Sequence, residues 1–540
     1  MDKVLGIDLG TTYSCVAYVD EYGRATVLKN RDGGHTTPSV VYFEENKVIV
    51  GNRAKKNVKL NPENTVQFIK RKMGKEESVM VSGKKYSAPQ ISAYILEKLV
   101  KDANDELRQM GVIDEEEIKD VVITCPAYFG MKERQATIDA GKIAGLNVLA
   151  IINEPTAAAI SYGVSGKEKK ETVLVYDLGG GTFDITVMEI DKNEVSVICS
   201  DGDDKLGGKD WDDALANYFI EQYSKEKKSN LENDLEALVE LYIDVEEWKK
   251  DLTTSDKINV SIVSEGGRFR RELTRYNFEE LTRTLLLRTK YIIDRVLETS
   301  KTKGFSLNKI DKVLLVGGSS RMPQVAKMIE EEFGVVPILQ DPDEAVAKGA
   351  AIYAQTKKDY LKFIEEEAEN KGVSAEELFE ENLSTRALDT KFQKYYPSSK
   401  TIKVTDVLSK TYGTDVRAGV FNMLFINDEL PACHTELFNT IEENQQFVSI
   451  AIYESNRNEL IVAPEAANLI ESFTLQLVKP VKKGTKIEVT FSIDSSMILH
   501  MSARELEFGS YLEGSVKLVG ALSDKEIIEN RKELSNARVE

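Results

Sequence analysis

The chain is short of histidine, cysteine, long apolar runs and positive charge, and each shortage argues against a class of function. Its three histidines, His35, His434 and His500, stand far apart in 540 residues. They share no metal-ligand spacing, so a histidine-rich metal site and serine–histidine catalysis are poor candidates. The four cysteines, Cys15, Cys125, Cys199 and Cys433, are scattered, form no CxxC pair and lie largely in apolar, strand-like runs. They read as buried, reduced thiols. No window approaches the roughly 20 apolar residues of a membrane span, and the opening "KVLGIDLG" runs straight into a glycine turn. A net charge of −19 argues against nucleic acid or an anionic membrane as partner. The expected location is the cytoplasm.

What is present points to several domains. A chain of 540 residues exceeds the size at which one core keeps growing, and 41% hydrophobic with 30% charged residues is ordinary for a globular protein. One phrase occurs twice: "VLGIDLGTTYSCVAYVD" at 4–20 and "VLVYDLGGGTFDITVMEID" at 173–191. Each is two alternating apolar runs around a glycine turn, hence a hairpin.

After the first hairpin come a strand at 39–43, a helical pattern at 89–111, an apolar strand at 120–128 and a helix at 131–146. After the second come helical patterns at 210–229, 232–252 and 277–302, strand "KVLLVGG" and helices at 322–334 and 342–354. Strands alternating with helices predict an α/β architecture, and the repeated order predicts duplication into two lobes. From about 355 the grammar changes. Residues 357–400 read as a charged helical insertion and linker, and 401–522 as strands with short breaks, an antiparallel β-sandwich. Residues 523–540 predict a C-terminal helix with a Ser523–Glu526 capping box.

Glycines in a strand–strand turn let backbone N–H groups converge on an anion. Thr11, Thr12 and Thr182 add hydroxyls, and Asp8 and Asp177, closing each first strand, can hold a hydrated divalent cation. Two such turns face to face would clamp a triphosphate and Mg²⁺ between lobes. A third glycine site, "VGGSSR" at 316–321, can approach a ribose and base, with Arg321 flat against adenine.

"GIDLGTTYS", "YDLGGGTFD" and "LLVGGSSRMPQV" together resemble the three signatures of the heat shock protein 70 family, the DnaK-type chaperones; "INEPTAAAISYG", "LGGKDWDD" and "PDEAVAKGAA" are similar too. The resemblance runs almost continuously over 1–356. It implies a two-lobed, actin-like ATPase domain, a duplicated ribonuclease-H-like fold, hydrolysing ATP to ADP and phosphate with Mg²⁺ and K⁺. By residue, it implies Asp8, Asp177 and Asp184 as metal acids, and Gly10, Thr11, Thr12, Tyr13, Gly179, Gly180, Gly181 and Thr182 as phosphate-loop positions. Lys70, in "FIKRKMG", matches the catalytic lysine, and Glu154 and Pro126, with Arg134, match a relay that passes nucleotide state outward. Glu246, Lys249, Lys250, Thr253, Gly317, Gly318, Ser319, Arg321 and Asp343 fall where the family holds the nucleotide. The β-region resembles its peptide-binding domain, with Phe438, Val448 and Ile441 around a pocket for an extended client and Arg417 at an arch over it. Implied partners are unfolded or extended peptides, a J-domain co-chaperone and a nucleotide exchange factor.

The chain departs from that pattern in three places. The linker equivalent, "TIKVTDV" at 401–407, is interrupted by Lys403 and Thr405, which predicts weaker docking on the lobes than an apolar linker. Of the helical lid only a possible first helix is present in the 540 residues, which predicts fast peptide exchange. Arg417 replaces an apolar arch residue, which favours acidic or mixed clients. The resulting reading is an ATP-dependent chaperone with a truncated lid. The rivals are a nucleotide-gated protein holding one dedicated partner and a small-molecule kinase on the same scaffold.

Overall fold

A computed structural model of the chain describes residues 3–45, 47–163, 169–305, 309–375, 377–378, 402–494, 497–516 and 522–540. The second half of the predicted insertion (379–400), including its "YYPSS" loop, lies outside the described residues.

The two repeated phrases build two sheets with the same wiring. In the first, Leu5–Asp8 pairs antiparallel with Tyr13–Val19 and parallel with Asp120–Cys125. In the second, Glu171–Leu178 pairs antiparallel with Phe183–Asp191 and parallel with Lys312–Val316. Each central strand carries a buried apolar run, Leu5–Ile7 and Val173–Tyr176, as a strand covered on both faces must. Between the sheets lie helices Glu154–Gly163 and Ala345–Lys371, whose alanines share one buried cluster with Val122, Val175 and Leu314. They pack closely because the contact residues are small. A Cβ on Gly349 would fall 1.7 Å from the Ala157 carbonyl oxygen, and one on Gly6 2.0 Å from the Ala351 nitrogen. The second helix runs unbroken to Lys371, so the predicted boundary at 356 falls inside it.

The β-region forms a five-stranded and a four-stranded sheet, antiparallel throughout, around their own apolar cluster. First-lobe Met131 is part of that cluster. Ser409 donates to the Phe129 carbonyl at 2.9 Å, and the Ser200 amide of the second lobe donates to Asn427 Oδ1 at 2.8 Å, so the sandwich is seated against both lobes.

Two expectations change, in the C-terminal helix and in the cysteines. The linker, expected to dock more weakly than an apolar one, is docked: Lys403–Thr405 adds a parallel edge strand to the second-lobe sheet beside Glu194–Asp203. Alternation turns Ile402 and Val404 into the apolar cluster between the lobes while Lys403 faces out to pair with Glu194. A polar residue on the outer face leaves backbone pairing intact, so the interruption does not prevent docking. The C-terminal helix spans Asp524–Asn536, with its capping box present, and then gives way to a short strand, Arg538–Val539, parallel to Lys47–Val50. The edge of the first lobe offers backbone partners there, and Val539 is buried. Three cysteines are buried and all four are free, but Cys433 lies exposed on a strand whose outer face is polar.

Candidate functional site

The two glycine turns meet across a cleft with a cavity of about 430 Å³ between the lobes. Strand pairing sets Asp8 and Asp177 at the ends of the two central strands, so both carboxyl groups reach the same cavity floor from opposite lobes. The turns approach so closely that only glycine fits. A Cβ on Gly180 would sit 1.8 Å from Thr12 Oγ1, and one on Gly181 2.4 Å from Thr11 Cγ2.

Lys70 sits on the short 3₁₀ turn Ile69–Lys72, buried, and pairs with Glu154 at the start of helix Glu154–Gly163. Burial works against its charge, but Glu154 and Asp8 outweigh it and hold the ammonium above its ordinary pKa. The Asp8 carboxyl is pushed up to about 7, first by burial and then by Glu154, with Lys70 opposing. Asp177 and Asp184 are raised well above the carboxylate range by burial and by Glu154 and, for Asp177, by Asp184 and Asp8 as well. The floor gathers more carboxyl groups than its one lysine can neutralise, so their ionised forms are held back unless a cation shares the site, which is chemistry that accepts a divalent ion. Among the described residues, no three His, Cys, Asp or Glu side chains are placed to hold a metal directly.

Gly10, Thr11, Thr12, Tyr13, Gly179, Gly180 and Thr182 line the cavity around this floor. The lining also includes Glu246, Lys249, Lys250, Thr253, Gly317, Gly318, Ser319, Arg321 and Asp343. Burial alone would lift the Glu246 carboxyl, but Lys55 and Lys250 hold it down at about 2. Lys249 bridges Asp212 at 2.8 Å and the Gly208 carbonyl at 3.0 Å. Arg321 pairs with Asp343.

Two expected residues stand outside the cavity lining. Gly181 turns its carbonyl to Arg71, and Asp184 lies behind the floor, accepting from the Ala127 amide at 3.0 Å. The latter contact ties the second hairpin to the loop holding Pro126. Arg134 donates to the Phe129 carbonyl and to Asn153, whose Nδ2 donates to Asp406 Oδ2 at 2.6 Å. A polar path thus runs from the first-lobe strand end to the linker. Sequence reading missed Phe68, Lys209 and Asp212 in the lining. The stretch "LGGKDWDD" carried the signal for two of them, since two glycines open helix Gly208–Lys227 beside the second turn.

In the sandwich, Phe438 and Val448 pack on the core from different sheets, and the Phe438 ring meets Phe421 edge-on with centroids 5.8 Å apart. Ile441 is 52% exposed in the loop after Phe438's strand. Arg417 is exposed in the hairpin turn between Thr411–Val416 and Gly419–Leu424.

Comparison with known proteins agrees with this layout. The family model described as Hsp70 protein matches residues 4–81, 75–362 and 393–540. The chaperone protein DnaK of Thermotoga maritima is 39% identical over 537 residues, covering 97% of this chain and 82% of the relative. That of Thermosipho melanesiensis is 38% identical over 520 residues, covering 94% of this chain and 79% of the relative. With matches to both lobes and to the sandwich, this chain belongs to the Hsp70 family.

Proposed function

We propose that this Hsp70-family chaperone, an ATPase, holds Mg–ATP between its two glycine turns and lets the state of that site set how the sandwich holds a client peptide. The observation that carries the reading is the convergence of Asp8, Asp177, Lys70 and both turns on one inter-lobe cavity. The lobes are read as two copies of a ribonuclease-H-like fold.

In this reading Asp8 and Asp177 would hold a hydrated magnesium ion, with Asp184 behind them. Magnesium, when bound, neutralises phosphate charge, and K⁺ is assigned to the same acidic floor. The threonine hydroxyls and turn amides hold the phosphates. Lys70, kept charged by Glu154, faces the charge that develops on the transferring phosphoryl group and positions the attacking water. Glu246, Lys249, Lys250 and Thr253 hold the adenosine from one side and Arg321 with Asp343 from the other.

Pro126, Glu154 and Arg134 relay the site's state toward Asp406 and the linker. Phe438, Val448 and Ile441 take one extended side chain of a client, and Arg417 admits acidic ones. A J-domain co-chaperone and an exchange factor are the expected protein partners, and the cytoplasm the expected location. Among the described residues no helix is long and apolar enough to cross a membrane.

The test is Lys70→Ala. Single-turnover hydrolysis should fall by about 10²–10³-fold while ATP still binds. Unchanged hydrolysis would remove the assignment.

A further inference from the structure

The neighbours Lys70 and Arg71 face different lobes. Lys70 turns to Glu154 of the first, whereas Arg71 crosses the cleft. Its guanidinium donates to the Gly181 carbonyl from Nε at 3.0 Å and from Nη2 at 2.6 Å. Nη2 also reaches Asp210 Oδ2 at 2.7 Å. That carboxylate in turn accepts from the Gly207 amide at 2.8 Å, at the start of helix Gly208–Lys227. Phe68, just before the turn that holds both basic residues, sits at φ 56°. A bulky residue adopts that left-handed backbone only where its surroundings impose it.

Each glycine carbonyl of the second turn is held by a donor. The Gly208 amide takes Gly179 O at 3.0 Å and the Lys209 amide takes Gly180 O at 2.8 Å. Gly181 O is taken by Arg71. A glycine turn presents N–H groups to an anion only while its carbonyls point elsewhere, since a carbonyl oxygen repels a phosphate. Two of the three donors belong to the second lobe and stay in place however the lobes stand. The third comes from the first lobe, so it is in reach only when the cleft is closed.

We infer that Arg71 is a positioning residue for ATP hydrolysis. Closure of the lobes brings its guanidinium onto the Gly181 carbonyl, which completes the phosphate turn. The shared backbone of Ile69–Lys72 sets Lys70 against that turn in the same movement. Arg71 does not itself line the cavity and acts through Gly181 and Lys70. The inference rests on the cleft being the nucleotide site.

The experiment uses the full chain with Arg71→Ala, Arg71→Lys and, in parallel, Lys70→Ala. Arg71→Ala should slow single-turnover hydrolysis at saturating Mg–ATP by about 10²-fold. It should also speed release of a fluorescent ADP by about tenfold, because the closed state loses its tie. Arg71→Lys keeps the charge without the two-pronged donor, so it should restore ADP retention more fully than hydrolysis. A structural residue would not split the two readouts that way. If Arg71→Ala does not fold, Asp210→Asn carries the test, with hydrolysis expected to slow by about tenfold. Hydrolysis in the folded variant within about threefold of wild type, alongside an inactive Lys70→Ala, overturns the inference and leaves the site standing. Absence of Mg–ATP binding by the unaltered chain would instead remove the site itself.

Discussion

Asn153 donates to Asp406 at 2.6 Å, joining the last residue of a first-lobe strand to the residue that follows the docked linker strand. Asn153 also accepts from Arg134, so one amide ties the helix Met131–Ile143, the strand end and the linker together. Asp406 is half-buried, and desolvation raises its carboxyl pKa while Arg134 opposes. Replacing it by Ala leaves the Asn153 donor without that acceptor, a cost of about 1–3 kcal/mol. Asp406→Ala should therefore keep ATP binding but lose stimulation of the ATPase by peptide. Calorimetry with ATP and a peptide-stimulated turnover assay check the two halves.

The linker strand separates backbone pairing from side-chain burial. Val404 faces the apolar cluster between the lobes, while Lys403 and Glu194 are half-exposed partners. Val404→Asp should cost about 1–3 kcal/mol of docking and expose the linker to protease even with ATP present. Lys403→Ala should change docking by less than about 1 kcal/mol, since exposed pairs contribute little. Limited proteolysis with and without ATP distinguishes them.

Gly180 approaches Thr12 of the other lobe so closely that an added Cβ lies 1.8 Å from its hydroxyl oxygen. Gly180→Ala should hold the lobes apart and weaken ADP binding by about tenfold or more, a change of about 1.4 kcal/mol. Gly34→Ala is the control, because its Cβ would meet neighbours only at 3.5 Å or beyond. Calorimetric titration with Mg–ADP reads both.

Glu97, on helix Ala88–Gln109, has its Oε2 buried with no hydrogen-bond partner among the described residues. Burial pushes its pKa up to about 7, with Lys101 opposing. A carboxyl raised on folding is protonated in the native state but ionised in the unfolded chain between the unfolded pKa, about 4.3, and the raised one. Its contribution to stability therefore falls as pH rises through that window and is wholly unfavourable above 7. Glu97→Gln should raise the melting temperature at pH 8, with the gain shrinking toward pH 5. A pH series of melting curves checks the slope.

Much of the site was readable because its chemistry is local. "DLGTT" and "DLGGGT" each carry their glycines, hydroxyls and aspartate within a few residues, and hairpin geometry needs no distant partner. The sandwich was readable from its alternating strands. Less readable was the helix Ala345–Lys371, taken to stop near 354, because its charged second half looked like a separate insertion. The hairpin Lys257–Ser264 and Gly267–Thr274, with charge on its outer face, gave no apolar run to recognise.

Local spacing by itself determined the two hairpins, their glycine turns, the buried central strands and the capping box of the last helix. Tertiary structure alone decided which residues from separate segments meet. It brought Arg71 to Gly181, seated Lys403–Thr405 on a sheet edge and turned the chain after Asn536 into a strand beside Lys47–Val50. The reason is that an edge strand offers backbone donors and acceptors to whatever segment reaches it, and a guanidinium's partner depends on how far the lobes have closed. Neither is written in the spacing of residues along one segment.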